Sequence, residues 1–98
     1  AGSADEAERL ARRLLDARLA ACVNLVGPVR SLYHWNGALQ DDTEWQLLVK
    51  TRRSLFAAVA ETVRAVHSYE NPEILALPVA AAAPAYGAWV LASTRTGA

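Results

Sequence analysis

Few side chains in this 98-residue chain are equipped for chemistry, and the most suggestive of them surround one loop. His67, Glu70 and Glu73 lie within seven residues of one another, and an imidazole with two carboxylates is a donor set for a borderline divalent ion such as Cu(II) or Zn(II). The same residues also have an ordinary reading. A histidine in a last helical turn is favoured by the helix dipole alone, and glutamates beside a proline are common in solvated loops. Cys22 is the only cysteine, which excludes an intrachain disulfide and a thiolate metal cluster within one chain. Flanked by Ala21 and Val23 with no adjacent cation, it reads as a small buried hydrophobe in a reducing compartment. Asp41 and Asp42 are solvated neighbours near a hairpin tip, and His34 is an exposed strand histidine without a role. Tyr33, Trp35, Trp45, Tyr86 and Trp89 are enough aromatic surface to line a ligand pocket, although such a set more often forms core or subunit interface. Local Ser-His-Asp or Cys-His motifs and glycine-rich phosphate loops are missing from the sequence, which reads as that of a protein that is not an enzyme.

The totals narrow the partners. Formal net charge is zero and the basic residues, nine of ten of them arginine, are spread without a run, so neither nucleic acid nor an anionic membrane finds an electrostatic footprint. Hydrophobic residues make up 53% of the chain, yet no stretch reaches the unbroken length a membrane span needs. No basic segment followed by an apolar one marks a secretory signal at the start, so cytoplasm is the default expectation. Residues 1–98 make a single domain, small enough that oligomerisation is a natural way to complete its core.

Several elements must position those side chains. Ser3 followed by Glu6 is a capping box that opens a helix over about Ala4 to Arg18, with Ala7, Leu10, Ala11, Leu14 and Ala21 recurring at helical spacing. Val23-Asn24-Leu25-Val26 leads through a bend at Gly27-Pro28 into two alternating runs, Val29 to Trp35 and Glu44 to Thr51. Asn36-Gly37 favours a tight turn between them, with Ala38 to Thr43 as an alternative longer tip. Both faces of this hairpin carry large apolar residues, which predicts that each side meets something, either this chain's helices or another copy. A second helix follows Ser54, with Phe56, Val59, Ala60, Val63 and Val66 inward, and ends near His67. Asn71-Pro72 then feeds a predicted strand over Glu73–Val79, and Pro84 opens a last helix on which Tyr86, Trp89 and Val90 share a stripe.

The order helix, strand, strand, helix, strand, helix specifies an α+β sandwich with a largely antiparallel sheet. It would be the ferredoxin-like split βαβ arrangement, with an extra C-terminal helix, if one more strand preceded the first helix. Without that central strand, residues 47–51 and 74–79 should leave unpaired backbone groups along the gap between them, or a segment from elsewhere should fill it, and the two should not pair with each other.

Residues throughout the chain resemble the CutA divalent-cation tolerance proteins. The resemblance rests on Arg18-Leu19-Ala20-Ala21-Cys22-Val23-Asn24, then Ser31, Tyr33, Trp35 and Gly37, then Leu48, Lys50 and Thr51. It continues through His67, Tyr69, Pro72-Glu73-Ile74 and Leu77-Pro78-Val79 to Tyr86 and Trp89. It implies a ferredoxin-like subunit in a tight homotrimer, a cytoplasmic location, and binding of copper or other divalent ions, without an established enzyme activity. Three departures stand out. Nothing matches the family's usual strand before the first helix, Ser68 stands where a proline usually follows the histidine, and Val66 stands where some members carry a second histidine.

Two functional classes are compatible with these residues. The first is a homotrimeric metal-binding or metal-response protein whose ligand is His67, completed by Glu70, Glu73 or a neighbouring subunit. The second is a trimeric scaffold in which an inter-subunit cleft takes a small molecule or a partner protein and no physiological metal is involved.

Overall fold

A computed structural model describes residues 1–96. Helix α1 (Ala4–Asp16) starts at Ser3, whose Oγ accepts the Glu6 amide at 3.1 Å. Its buried stripe is Ala7, Leu10, Ala11 and Leu14. The helix ends two residues short of the expected Arg18, because Arg18 takes a φ of 57. The Leu19 amide then donates to the Leu14 carbonyl at 2.9 Å and the Arg18 amide to that of Leu15 at 3.0 Å. This is the Schellman closure, and Leu19 folds back onto Leu14 in the core.

Strands β1 (Cys22–Trp35) and β2 (Ala38–Lys50) form a two-stranded antiparallel ribbon, in register from Cys22↔Lys50 to Trp35↔Ala38. The connection is the tight turn and not the longer tip: Asn36 and Gly37 have φ of 52 and 76, the positive pair a type I′ turn requires. Pairing slips between Val26 and Val29, so the expected bend at Gly27-Pro28 is a bulge. The Trp45 ring packs against Gly27 so closely that a Cβ there would lie 2.5 Å from Cδ2. A strand of 14 residues spans about 46 Å at roughly 3.3 Å per residue. The molecule measures 45 × 26 × 22 Å, so the ribbon sets its long dimension.

A 3-10 turn (Arg53–Leu55) precedes helix α2 (Phe56–Val66). That turn swings Leu55 fully into the core and leaves Phe56 and Val66, expected inside, exposed; Val59 and Ala60 are buried as expected. Leu14, Leu19, Ala20, Leu55 and Val59 form the core, closed by Val23 and Val49 from the base of the ribbon and Val63 from α2. Beyond that base the ribbon projects as an arm.

The predicted strand over Glu73–Val79 is corrected by the structure. Residues 72–79 belong to no ladder, and among the described residues β1 and β2 pair only with each other. As expected, 74–79 is not paired with 47–51. Alternation of apolar residues marks a segment suited to a sheet, but a strand forms only against an edge, and the outer edge of β2 is met by Ala1 alone among the described residues. There the Ala1 amine donates to the Trp45 carbonyl at 2.8 Å and the Trp45 amide to that of Ala1 at 2.7 Å. Helix α3 (Pro84–Ser93) begins at Pro84 as expected and buries none of its residues. Its C-terminal end is held by Arg52, whose Nε donates to Thr94 Oγ1 at 3.0 Å and whose Nη2 donates to the carbonyls of Thr94 and Leu91. The Arg95 amide adds a bond to the Arg18 carbonyl at 2.9 Å.

Candidate functional site

His67 closes α2 by donating its amide to the Val63 carbonyl at 2.8 Å, then leaves the helix with a φ of −76 and a ψ of 142. That exit turns the imidazole inward, toward the first turn of α1, and its side chain is 5% exposed. There it meets Glu6. The capping-box pattern points the Glu6 carboxylate back along its own helix, and one oxygen does so: Oε1 accepts the Gly2 amide at 2.9 Å. The other reaches across 62 residues of sequence, where Oε2 accepts the Ser68 amide at 3.0 Å. His67 Nε2 lies 4.0 Å from Oε1.

Electrostatics follow from this placement. Burial pushes the Glu6 carboxyl up, but bonds from the Ser68 side chain and the Gly2 and Ser68 amides, with the nearby imidazole, outweigh it and hold the pKa at about 2. His67 is held below its ordinary value, first by burial and then by the terminal ammonium, against the carboxylates of Glu6 and Glu44. Tyr69 packs its ring edge-on to the imidazole with centroids 4.5 Å apart. Its phenol is pushed up to about 12 by burial and by the Glu44 carboxylate from β2.

One imidazole nitrogen is committed, and the other faces Glu6 at 4.0 Å without bonding it. The Tyr69 amide donates to Nδ1 at 3.0 Å, which uses that nitrogen's lone pair. In a neutral ring the proton must then sit on Nε2, the nitrogen that faces Glu6. An imidazole that ligates a metal has the opposite arrangement, with one lone pair on the ion and the other nitrogen donating to a carbonyl or carboxylate. In this conformation His67 does not fit a metal ion. Glu70 and Glu73, grouped with it by sequence, are exposed and make no hydrogen bond among the described residues. No group of three or more His, Cys, Asp or Glu side chains among the described residues is placed to hold an ion. The carboxylate brought to His67 is that of Glu6. Its only signal in the sequence is the capping pattern, which gives no hint of the loop it reaches.

The other candidates disperse. Cys22 is half-buried beside its rung partner Lys50. Asp41 pairs with Arg30 and Asp42 accepts the Tyr33 hydroxyl, both as diagonal contacts across the arm. His34 is exposed on the same arm. Tyr33 and Trp35 stand on the arm, Trp45 lies against Gly27, and Tyr86 and Trp89 pack on each other along α3 with centroids 5.6 Å apart. They do not converge on a pocket. A groove of about 360 Å³ between α1 and α2, lined by Arg13, Ala17, Glu61 and Thr62 among others, contains none of them.

Comparison with known proteins gives a consistent family. A family model described as CutA1 divalent ion tolerance protein matches residues 1–93. The mouse Protein CutA is 45% identical over 84 residues, covering 86% of this chain and 48% of that protein. The divalent-cation tolerance protein CutA of Archaeoglobus fulgidus is 48% identical over 79 residues, covering 81% and 76% of the two. Against the mouse and Arabidopsis thaliana proteins this chain spans about half of the relative's length. Among solved structures, the Cut A1 divalent cation tolerance protein of Thermus thermophilus superposes with a TM-score of 0.93 at 41% identity, over 96% of this chain and 91% of that one. CutA1 from Oryza sativa gives 0.93 at 41% identity, over 96% and 86%. The fold is thus the ferredoxin-like α+β fold of those structures. With a family model spanning residues 1–93 and relatives above 40% identity across most of its length, the chain belongs to the CutA1 divalent ion tolerance protein family.

Proposed function

We propose that this protein works as a homotrimer that binds a divalent cation, copper among them, in the response to metal ions, and that it carries no catalytic activity. One observation supports assembly above the rest. Nine apolar side chains are buried among the described residues, while sixteen large apolar ones stay exposed, including Leu75, Leu77 and Val79 at 73%, 84% and 79%. Exposed apolar surface on this scale marks a face made to be covered. The arm and the unpaired 72–79 segment offer both the apolar faces and the backbone edges by which copies join. The divalent ion is supported by the family, whose members are named for tolerance of such ions. Its ligand in this chain is His67, released from its inward position, with Glu70, Glu73 or a group of a neighbouring subunit completing the site. Among the described residues no helix is long and apolar enough to cross a membrane, and Cys22, the only cysteine of the sequence, supports a reducing compartment such as the cytoplasm.

Light scattering at micromolar concentration tests assembly: three chain masses are expected, and a monomer would defeat the proposal. Trp35→Asp, which forces a charge into the proposed contact, should dissociate it. Calorimetric titration of wild type and His67→Ala with Cu(II) tests the ligand, and equal affinity and stoichiometry would remove His67 from the site. A second reading is a trimer whose inter-subunit cleft takes a metabolite or partner protein, and it is favoured by the scattered carboxylates and the committed imidazole. A thermal-shift screen of organic acids and nucleotides beside the same titration separates the two.

A further inference from the structure

We propose that the groove between α1 and α2 is a binding site for a small organic oxyanion, a carboxylate or phosphate that also carries a hydroxyl or amino group. It is lined by one subunit and does not include His67. Its volume of about 360 Å³ is that of a small-ligand cleft, and small residues keep it open. Ala17 at the end of α1 and Ala58 on α2 offer only methyl groups where longer side chains would fill the space between the helices. Two guanidiniums line the groove, Arg13 from the last turn of α1 and Arg95 from just beyond α3. Both are anchored at the backbone. The Arg13 carbonyl accepts the Ala17 amide at 3.2 Å, and the Arg95 amide donates to the Arg18 carbonyl at 2.9 Å, next to buried Thr94. That bond keeps Arg95 on the α1 side.

The two sides of the groove are chemically opposite. On the α1 side, Arg13 and Arg95 bring only donors, since a guanidinium has no acceptor. On the α2 side, Glu61 brings a carboxylate and Thr62 a second acceptor, because its hydroxyl proton is donated to the Ala58 carbonyl at 2.9 Å and its lone pairs stay free. The charges of the groove are also unspent. Among the described residues Arg12 pairs with Glu8, Arg30 with Asp41, and Arg52 holds Thr94, whereas the side chains of Arg13, Arg95 and Glu61 take part in no ion pair or hydrogen bond. A guanidinium fork matches the paired oxygens of a carboxylate or phosphate. A bare anion satisfies the arginines but is repelled by Glu61. An anion with a hydroxyl or ammonium a few bonds away satisfies both sides at once.

Malate and succinate differ by one hydroxyl, and glycerol 3-phosphate carries the phosphate alternative. Titration of the whole chain with these three at low ionic strength, followed by amide chemical shifts, tests the site. Malate or glycerol 3-phosphate should bind saturably with a Kd of about 0.1–1 mM, because exposed arginines are partly screened, and should move the amides of Ala58, Glu61 and Thr62. The tighter of the two names the source of the oxyanion. Succinate should bind about fivefold more weakly than malate, and Glu61→Gln, which removes the repulsion and keeps an acceptor, should narrow that gap by improving succinate. Arg13→Ala and Arg95→Ala should each weaken binding about tenfold, and Ala65→Leu, at an exposed lining position, should block it. Arg12→Ala is the control: it removes the same charge one residue away, from a guanidinium bonded to Glu8 outside the groove, and should leave affinity within about twofold. All five substituted positions are exposed, so the variants should fold. No saturable shift with either malate or glycerol 3-phosphate up to about 10 mM overturns the inference. Equal affinity for malate and succinate, or an Arg12→Ala loss as large as that of Arg13→Ala, overturns it as well.

Discussion

Arg52→Ala should undock helix α3 while leaving the rest of the subunit folded. The helix buries no residue of its own, so little hydrophobic burial within the subunit holds it. It is held chiefly at its C-terminal end, where Arg52 donates to Thr94 Oγ1 at 3.0 Å, to the Thr94 carbonyl at 3.2 Å and to the Leu91 carbonyl. A guanidinium at a helix C-terminus also meets the negative end of the dipole. Thr94 is 6% exposed, so its groups cannot turn to water when the arginine is removed, and each lost charged bond there costs about 1.5 kcal/mol or more. Leu91 is exposed, and its carbonyl can be rehydrated at little cost. The expected loss is therefore about 3 kcal/mol, or roughly 150-fold in the opening equilibrium of the helix. Hydrogen exchange followed by mass spectrometry on peptides covering 84–93, at fixed protein concentration so that assembly does not shift the result, measures this directly. Arg52→Lys, with a compact ammonium in place of the fork, should recover about half of it. Protection within about threefold of wild type in Arg52→Ala would show that α3 is held by something other than this arginine.

Three further outcomes are expected. Gly27→Ala places a methyl group 2.5 to 3.0 Å from the Trp45 ring and should cost about 1–3 kcal/mol in urea unfolding, with recovery in a Trp45→Leu background. The folded-state pKa of Glu6 lies at about 2, below its ordinary 4.5, so its contribution is complete above pH 4.5 and lost as pH falls through 2; the melting temperature should drop across that window by an amount equivalent to about 2–3 kcal/mol, and E6Q should flatten the drop. His67, held below its ordinary value, destabilises in the same direction as pH falls below 6.5. Leu14→Ala, at a fully buried site, should cost about 3–5 kcal/mol by denaturant titration.

What the sequence made legible is what short-range chemistry decides. Ser3 marks the start of α1 because a cap needs only the next three residues, and Asn36-Gly37 marks the turn because positive φ is a property of those residues themselves. Pro84 starts α3 for the same kind of reason. The strand expected over Glu73–Val79 fails because a strand is completed by a neighbouring edge, which no local pattern contains. Leu55 escaped the predicted inner face of α2 because a 3-10 turn moves side chains off the 3.6-residue period. The site shows the same division. His67 was visible as a histidine ending a helix, but its partner Glu6 lies 61 positions away, and Glu70 and Glu73, which are close in sequence, are exposed in solvent. Proximity in sequence gives no sign of the carboxylate that meets His67 in its inward conformation, since a loop leaving a helix end can point its first side chain into the core and the next ones out.

The ribbon also has a consequence in time. Its two strands meet at a two-residue turn, so once Trp35 and Ala38 pair, every later rung down to Cys22 and Lys50 joins residues whose neighbours are already together. Closure proceeds as a zipper, on the scale of about 1–10 μs for a hairpin, and it carries the residues before and after it into place for α1 and α2 to pack. A subunit built this way should fold quickly. In the homotrimer proposed above, the slow step is then the bimolecular one, and its rate depends on how much protein is present. During that wait the arm shows Leu32, Leu39 and Leu48 to water, so a dilute solution prolongs the exposed state and a crowded one raises the chance that the wrong chain arrives first.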